Sequence, residues 1–153
     1  MKEKVKKKII VFDLDGTICN IEHRRGYVAT KPKNWAAFNA GIVNDTPHED
    51  IVWLAKTFYL DDNFFRVILC SGRGEEQRKV TERQMDSFGV RYAQLYMRPA
   101  NDHRPDYIVK VELLQQIRTE FGEPSYWFDD RNQVVQAIRE QGVRVLQVAN
   151  GNF

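Results

Sequence analysis

Five short apolar runs recur along the chain, and polar residues or glycine follow each of them. Continuous hydrophobicity over so few residues is typical of strands that are buried on both faces. Between these runs lie longer segments, some with apolar residues at three- and four-residue spacing, which predict helices. The predicted strands are 9–13, 65–70, 92–96, 126–129 and 143–148, and the predicted helices are 49–59, 75–88, 106–121 and 133–141.

This alternation predicts an α/β fold, in which a five-stranded parallel sheet lies between two layers of helices in a Rossmann-like three-layer sandwich. The 153 residues have the size of one domain, so we expect a single unit over 1–153. The segment 19–46 is predicted to be a small cap insertion, because it separates the first strand from the first helix without strand periodicity. Ligands bind at the carboxyl ends of parallel strands, so the cap is expected to cover part of the site. Its aromatic residues Tyr27, Trp35 and Phe38 favour anchoring of the cap, with stacking against a base as the alternative.

Charge and composition exclude several classes of protein. The net charge is only +2, and the first eight residues hold five lysines, which favours a solvated terminus over a nucleic-acid site. No apolar run approaches the roughly 20 residues that cross a bilayer, and no signal-type segment follows Met1, so we expect a cytoplasmic protein without a membrane partner. The two cysteines, Cys19 and Cys70, lack the spacing of a zinc site and are predicted to be small core residues.

Pairs of carboxylates follow two of the predicted strands. Asp13 and Asp15 follow the first strand, and Asp129 and Asp130 follow the fourth. Carboxylates at the end of a buried strand lose hydration unless a cation compensates them, although one member of each pair is also explained as a cap of a turn or helix. Oxygen donors of this kind suit a hard cation, which predicts Mg²⁺ as cofactor, bound by all four aspartates.

Two further residues point to an anionic ligand. Ser71 ends the second predicted strand, where its hydroxyl and the following amides are suited to hold an anion, although Ser-Gly pairs also occur in ordinary turns. Lys110 lies near the start of a predicted helix, where a cation opposes the helix dipole and calls for an anionic partner. The alternative is a lysine that extends from the helix flank into water.

The order of these motifs along the chain resembles the haloacid dehalogenase superfamily of phosphatases. More narrowly, it resembles the 3′-phosphatase module of phage-type polynucleotide kinase and its stand-alone phage relatives. The stretches that carry the resemblance are 13–17, Arg24, 71–73, 106–110, 129–131, 133–135 and 147–153.

The resemblance implies a Mg²⁺-dependent phosphomonoesterase that removes 3′-phosphate from DNA or RNA ends through a phosphoaspartate. It implies Asp13 as nucleophile and Asp15 as general acid and base, with Ser71 and Lys110 binding the phosphoryl group. It also implies that Asp15 contacts the metal through its main-chain carbonyl. An aspartate suits the first role because it is ionised at neutral pH without a base. The residues that it implies for substrate binding are Thr17, Arg24, Gly72, Arg73 and Asp106, with Asp106 also orienting Lys110 or an arginine.

Other functions stay open. The chain has no G-x-x-x-x-G-K-[ST] phosphate loop, so it holds no kinase of that type, and its sequence leaves the oligomeric state undetermined. The runner-up is a 5′-nucleotidase acting on free nucleotides, because one fold serves many phosphate monoesters, although a small cap leaves room for a polynucleotide end. A phosphoacceptor signalling domain also combines Asp, Ser or Thr, and Lys around Mg²⁺, but its acidic pair precedes the phosphorylated Asp. A non-catalytic nucleic-acid-binding module is supported only by the lysine-rich start and scattered arginines.

Overall fold

The computed structural model describes residues 5–153, which form a parallel sheet with helices on both faces. In chain order the elements are β1 (Lys8–Phe12), β2 (Cys19–Asn20), α1 (Glu22–Ala29), α2 (Trp35–Ala40), β3 (Thr46–Pro47), α3 (Glu49–Leu60), β4 (Phe65–Gly74), α4 (Arg78–Phe88), β5 (Gln94–Arg98), α5 (Asp106–Glu120), β6 (Pro124–Asp129), α6 (Asn132–Glu140) and β7 (Val145–Gln147).

The five predicted strands form one sheet in the order β5-β4-β1-β6-β7, with every neighbouring pair parallel. From β1 the chain first adds β4 and β5 on one side of β1, and it then adds β6 and β7 on the other side. A crevice forms at such a switch point, outside the carboxyl ends of the central strands. The predicted α/β fold is confirmed, and β1 lies at its centre.

Two hydrophobic clusters hold the three layers together. One face of the sheet packs on α3 and α4, where Phe12 stacks on Phe128 with ring centroids 4.7 Å apart and Met85 is fully buried. The opposite face packs on α5 and α6 around Trp127, which is also fully buried. Burial on both faces explains why these strands are apolar without alternation. Cys19 and Cys70 are buried free cysteines, and burial raises the pKa of both thiols.

Most strand boundaries lie within two residues of the predicted ones, and the largest differences are found around Gly74. The strand predicted over 65–70 continues to Gly74, with an irregularity in its pairing with β5 between Ser71 and Gly74. The helix predicted over 75–88 begins with a 3-10 turn at Glu75–Gln77 before α4 starts at Arg78. The sequence did not predict this continuation because residues 71–74 are polar or glycine. They belong to the strand through their pairing with β5, and such pairing leaves no hydrophobic pattern in the sequence.

The cap has more regular structure than predicted. Over 19–46 it contains α1, α2 and the 3-10 turn Gly41–Asn44, and the two-residue strands β2 and β3 pair antiparallel at its two ends. This pairing closes the cap at its base, directly beside the end of β1.

The lysine-rich start is described only in part. Lys2 and Lys4 lie outside the described residues, whereas Lys6 and Lys8 are exposed and Lys8 begins β1. Within residues 5–153, no helix is both long enough and apolar enough to cross a membrane.

Candidate active site

Asp13 lies one residue past the end of β1, at the centre of the sheet's carboxyl edge. Its amide donates to the carbonyl of Phe128 at 2.9 Å, which continues the pairing with β6. Its carboxylate is buried, accepting a hydrogen bond from Lys110 Nζ at 2.7 Å on Oδ1 and one from Thr17 Oγ1 at 2.9 Å on Oδ2. The backbone and both partners therefore fix this carboxylate in one orientation.

The turn after Asp13 depends on Gly16. This residue has φ +84°, a conformation that side chains with a Cβ rarely adopt, and a Cβ at this position would overlap Oδ2 of Asp130. The same turn places Thr17 beside Asp13. Glycine at position 16 therefore lets this turn lie directly against the Asp130 carboxylate.

Lys110 reaches the site from the first turns of α5. Its Nζ is 2.9 Å from Asp129 Oδ2 and 3.6 Å from Asp106 Oδ2, in addition to its contact with Asp13. Burial by itself lowers the pKa of Lys110, but the charges of Asp106, Asp129 and Asp13 outweigh it and raise that pKa well above its ordinary value. The buried ammonium is therefore charged at all physiological pH values.

Asp13, Asp129 and Asp130 form a group of three buried carboxylates, with one oxygen of each lying within 4.8 Å of the others. Burial, followed by the charge of Asp129, raises the pKa of Asp130 to about 6 and that of Asp13 well above its usual range. A further cation relieves this repulsion, and a donor set made only of carboxylate oxygens suits Mg²⁺. The residues present therefore fit the predicted ion.

Hydrogen bonds fix the direction of Asp129. Its Oδ1 accepts from the amides of Asp130 and Arg131 at 3.0 and 3.3 Å, and its Oδ2 accepts from Trp127 Nε1 at 3.2 Å. Asp129, the last residue of β6, thus binds both the buried Lys110 ammonium and the backbone amides that precede α6.

Asp15 belongs to a second charged cluster beneath the cap. Its Oδ1 accepts from Arg24 Nη2 at 2.7 Å and from Arg73 Nη2 and Nε at 2.6 and 3.0 Å. Burial raises the pKa of Asp15, but the two guanidinium groups outweigh it and the net pKa is lowered. The side chain is still 22% exposed, whereas both arginine side chains are nearly or fully buried. Asp15 is therefore the part of this cluster that an incoming ligand can touch.

Asp45, which the sequence reasoning did not identify, holds the two arginines from below. Its carboxylate contacts Arg24 Nε and Nη2, both at 2.7 Å, and Arg73 Nη2 at 3.1 Å. Gln84 Oε1 accepts from Arg73 Nη1 at 2.8 Å, and its Nε2 donates to Asp45 at 3.3 Å. Asp45 follows a turn and precedes a two-residue strand, so no local pattern distinguishes it from a loop aspartate. It links α1, β4 and α4 beneath Asp15.

The Ser71 to Arg73 segment continues β4 along the other side of Asp13. Ser71 Oγ accepts from the amide of Arg73 at 3.1 Å, and the Gly72 carbonyl accepts from Arg98 Nε at 2.9 Å. A Cβ on Gly72 would overlap Asp106 Oδ1, so only glycine lets β4 and the start of α5 approach so closely.

Three residues to which the sequence analysis assigned no role, Arg25, Arg131 and Phe153, lie at the rim beside Asp130. Arg25 Nη2 is 3.4 Å from Asp130 Oδ2, and its Cζ lies 4.0 Å from the ring centroid of Phe153. Arg131 contacts the same ring at 5.7 Å and donates from Nε to the Phe153 carbonyl at 2.9 Å. Only the tertiary fold brings Arg25 and the last residues of the chain close to the Asp130 carboxylate.

The structure brings all predicted site residues to the carboxyl edge of β1, β4 and β6 or to the start of α5. Three of the predicted roles stay predictions. The Asp15 carboxylate lies on the arginines rather than with the carboxylates of Asp13, Asp129 and Asp130, and its expected contact with the metal is through its main-chain carbonyl. Arg24 and Arg73 are buried against carboxylates, and their predicted contact with substrate phosphate stays a prediction.

The chain is similar to two solved RNA-repair structures. A chain in the structure of the Pnkp1/Rnl/Hen1 RNA repair complex superposes with a TM-score of 0.78 at 30% sequence identity; the match covers 100% of this chain and 45% of that one. A second structure of the Pnkp1/Rnl/Hen1 complex gives the same TM-score and identity, covering 99% of this chain and 49% of the other. The present chain therefore spans about half the length of these relatives.

More distant structures share the fold. A haloacid dehalogenase-like hydrolase from Streptococcus pneumoniae has a TM-score of 0.63 at 15% identity, with 93% of this chain and 84% of that one covered. A putative beta-phosphoglucomutase from Thermotoga maritima has a TM-score of 0.60 at 13% identity, with 95% and 87% covered. Residues 7–153 match the family model of the polynucleotide kinase PNKP phosphatase domain, and the chain therefore belongs to this family of haloacid dehalogenase-type phosphatases.

Proposed function

We propose that this protein is a Mg²⁺-dependent polynucleotide 3′-phosphatase that acts through a phosphoaspartate on Asp13. The observation that carries the proposal is the position of the Asp13 carboxylate. It is fixed between Lys110 and Thr17, is one of the three carboxylates suited to hold a metal, and lies two residues before an aspartate held by two arginines.

In the first step, one Asp13 carboxylate oxygen attacks phosphorus while the bond between phosphorus and the 3′ oxygen breaks. Asp15 gives its proton to the leaving 3′ oxygen, so the polynucleotide departs as an alcohol. The Lys110 ammonium and the Ser71 hydroxyl stabilise the negative charge on the phosphoryl oxygens. Mg²⁺, held by Asp13, Asp129 and Asp130, supplies further charge neutralisation when bound.

In the second step, water attacks the phosphorus of the phosphoaspartate and Asp15 accepts the proton that this water loses. Asp13 leaves as a carboxylate and inorganic phosphate is released. The lowered pKa of Asp15 suits this step, because Asp15 is then ionised in the free protein. For the first step, a dianionic phosphate beside Asp15 raises that pKa and favours the protonated form.

A nucleic-acid end is the substrate that the surroundings of the site favour. The cap has only two short helices and a 3-10 turn, and so small a cap favours a polynucleotide end over a substrate that must be fully enclosed. The similarity to chains of an RNA repair complex supports an end-processing role on RNA, with DNA ends as the alternative. We place this activity in the cytoplasm, where the free thiols of Cys19 and Cys70 stay reduced.

The proposed function is tested by phosphate release from four substrates: a 3′-phosphorylated oligonucleotide, the same oligonucleotide with a 5′-phosphate, and free 3′- and 5′-mononucleotides. Each is assayed with Mg²⁺ and with EDTA, in RNA and DNA form. We expect rapid, metal-dependent release from the 3′-phosphorylated oligonucleotide above all others. Preference for a free 5′-nucleotide would instead assign the protein to nucleotide metabolism, and absence of release from any substrate would contradict an enzyme of this kind.

A further inference from the structure

Trp35 is the most unusual aromatic residue of the cap, because 54% of its surface is exposed to water. The cap already has an anchor in Phe38, which packs on the hydrophobic core while its ring lies 4.3 Å from Arg24 Cζ. Anchoring therefore does not explain Trp35. An exposed indole offers apolar surface to a binding partner, because burying a large aromatic side chain releases more free energy than burying a small one.

A chain of side-chain contacts connects Trp35 to the site. The Trp35 ring meets Phe38 edge to face with centroids 5.6 Å apart, Phe38 covers Arg24, and Arg24 donates to Asp15. Asp15 is the group that would meet the leaving 3′ oxygen of the substrate. Two side chains, Phe38 and Arg24, thus lie between the indole and Asp15.

Positive charge surrounds this indole. Lys33 Nζ lies 5.6 Å from the Trp35 ring centroid, and both Lys31 and Lys33 are exposed. An aromatic ring interleaved with lysines is the arrangement by which proteins hold single-stranded nucleic acid: the bases stack on the ring and the lysines attract the phosphates. Trp53, the other exposed tryptophan, has both acidic and basic neighbours on α3, Glu49 and Asp50 before it and Lys56 after it, and no cation from the described part of the chain is seen over its ring.

We propose that Trp35 and Lys33 form a stacking platform on the cap that holds a nucleobase near the 3′ end of a single-stranded substrate. The proposal rests on the proposed 3′-phosphatase function and adds the part of the substrate that this cap recognises. Stacking uses the face that every base presents, so the platform selects polynucleotide over small phosphate esters without choosing a base. Phe38 remains the anchor that holds the platform above Arg24.

The test compares Trp35→Ala with the unaltered protein on two substrates. One is a 3′-phosphorylated trinucleotide, and the other is the same sugar-phosphate trimer with tetrahydrofuran residues in place of all nucleosides. We expect Trp35→Ala to lower kcat/KM on the trinucleotide about 10-fold, mainly through a higher KM. The same variant should leave kcat/KM on the base-free trimer nearly unchanged, because this trimer has no base to stack on Trp35. Equal losses on both substrates would overturn the platform.

Two variants separate stacking from other effects. Trp35→Phe keeps an aromatic face and should recover part of the loss, whereas Trp53→Ala removes the other exposed tryptophan and should leave both kcat/KM values unchanged. Failure of Trp35→Phe to recover any affinity above that of Trp35→Ala would contradict stacking. An effect of Trp53→Ala as large as that of Trp35→Ala would also contradict it.

A binding measurement keeps the platform testable if the unaltered protein releases no phosphate from the trinucleotide. In a Trp53→Phe background, addition of the 3′-phosphorylated trinucleotide should quench tryptophan fluorescence and the base-free trimer should not. Quenching without turnover would support the platform while removing the proposed reaction. Binding of the trinucleotide is followed independently by the fluorescence anisotropy of a labelled trimer. If the trinucleotide saturates binding in that assay without quenching tryptophan fluorescence, the platform is overturned.

Discussion

Lys110 Nζ lies 2.7 Å from Asp13 Oδ1, and both side chains are buried. The two residues come from the centre of the sheet and from the first turns of α5, 97 positions apart along the chain. The ammonium is placed where negative charge gathers when Asp13 attacks a phosphoryl group, and it need not move to stabilise that charge.

Replacing Lys110 with Met removes this charge while keeping most of the side-chain volume. We expect kcat for phosphate release to fall by about 10²- to 10³-fold, as for other preorganised charge-stabilising groups. Activity and thermal unfolding should be measured with saturating Mg²⁺, because the variant buries Asp13 and Asp129 without their ammonium. Loss of less than about threefold in a folded variant would show that Lys110 does not act in the transition state.

Replacing Asp45 with Ala leaves Arg24 and Arg73 without their lower carboxylate. Removing one member of a buried charge cluster costs about 3–5 kcal/mol, so the free energy of unfolding should fall by that amount. Phosphate release should slow as well, because Asp45 no longer fixes the two arginines that donate to Asp15. Asp62→Ala, at an exposed position, is the control and should change neither quantity. Urea unfolding of both variants checks the prediction, and an unfolding free energy unchanged in Asp45→Ala would refute it.

Gly16→Ala and Gly142→Ala form a matched pair, because both glycines have a positive φ, of +84° and +87°. A Cβ on Gly142 meets nothing, so this variant should lose only about 1 kcal/mol of stability from backbone strain and keep its activity. A Cβ on Gly16 overlaps Asp130, so Gly16→Ala should also lose metal binding and phosphate release. Metal affinity can be measured by calorimetry, and equal affinities in the two variants would show that Gly16 acts only through its backbone.

Stabilisation by Mg²⁺ should depend on pH. The pKa of Asp130 is about 6 in the folded protein and near 3.8 without the fold, so the metal-free protein retains a proton there that the unfolded chain has released. Its stability therefore falls as pH rises from about 4 through about 6. Mg²⁺ binds the ionised carboxylates of the folded protein, so it should raise Tm more at about pH 7.5 than at about pH 5. Thermal unfolding with Mg²⁺ and with EDTA measures both shifts, and a larger increase at the lower pH would contradict the assigned metal ligands.

The parts of the site that the sequence predicted are those with a local signature. Asp13 and Asp129 stand where apolar runs end, and parallel strands bring such ends to the same edge. Lys110 is distinguished by its place in the first turns of an apolar helix. The five strands were recovered for the same reason, because each is buried on both faces and therefore continuously apolar.

The parts that escaped prediction depend on distant contacts. Asp45, Gln84 and Phe153 have ordinary neighbours in sequence, and only the tertiary fold brings them to Arg24, Arg73 and Arg25. The burial of Arg24 was equally hidden, since an arginine is buried only where its partners are already placed. The helices of the cap escaped because α1 has a single fully buried residue and α2 has none, which leaves no apolar periodicity to read.

The proposed reaction depends most directly on Asp13 as the nucleophile, and the phosphate-release rate of Asp13→Asn on the 3′-phosphorylated oligonucleotide tests this role. Asp13→Ala should be assayed beside it, because deamidation of the new Asn would regenerate the nucleophile. We expect both variants to lose at least about 10³-fold in kcat with Mg²⁺ present, while circular dichroism and thermal unfolding report a folded protein. Turnover within about tenfold of the unaltered protein in folded Asp13→Ala would contradict covalent catalysis at Asp13.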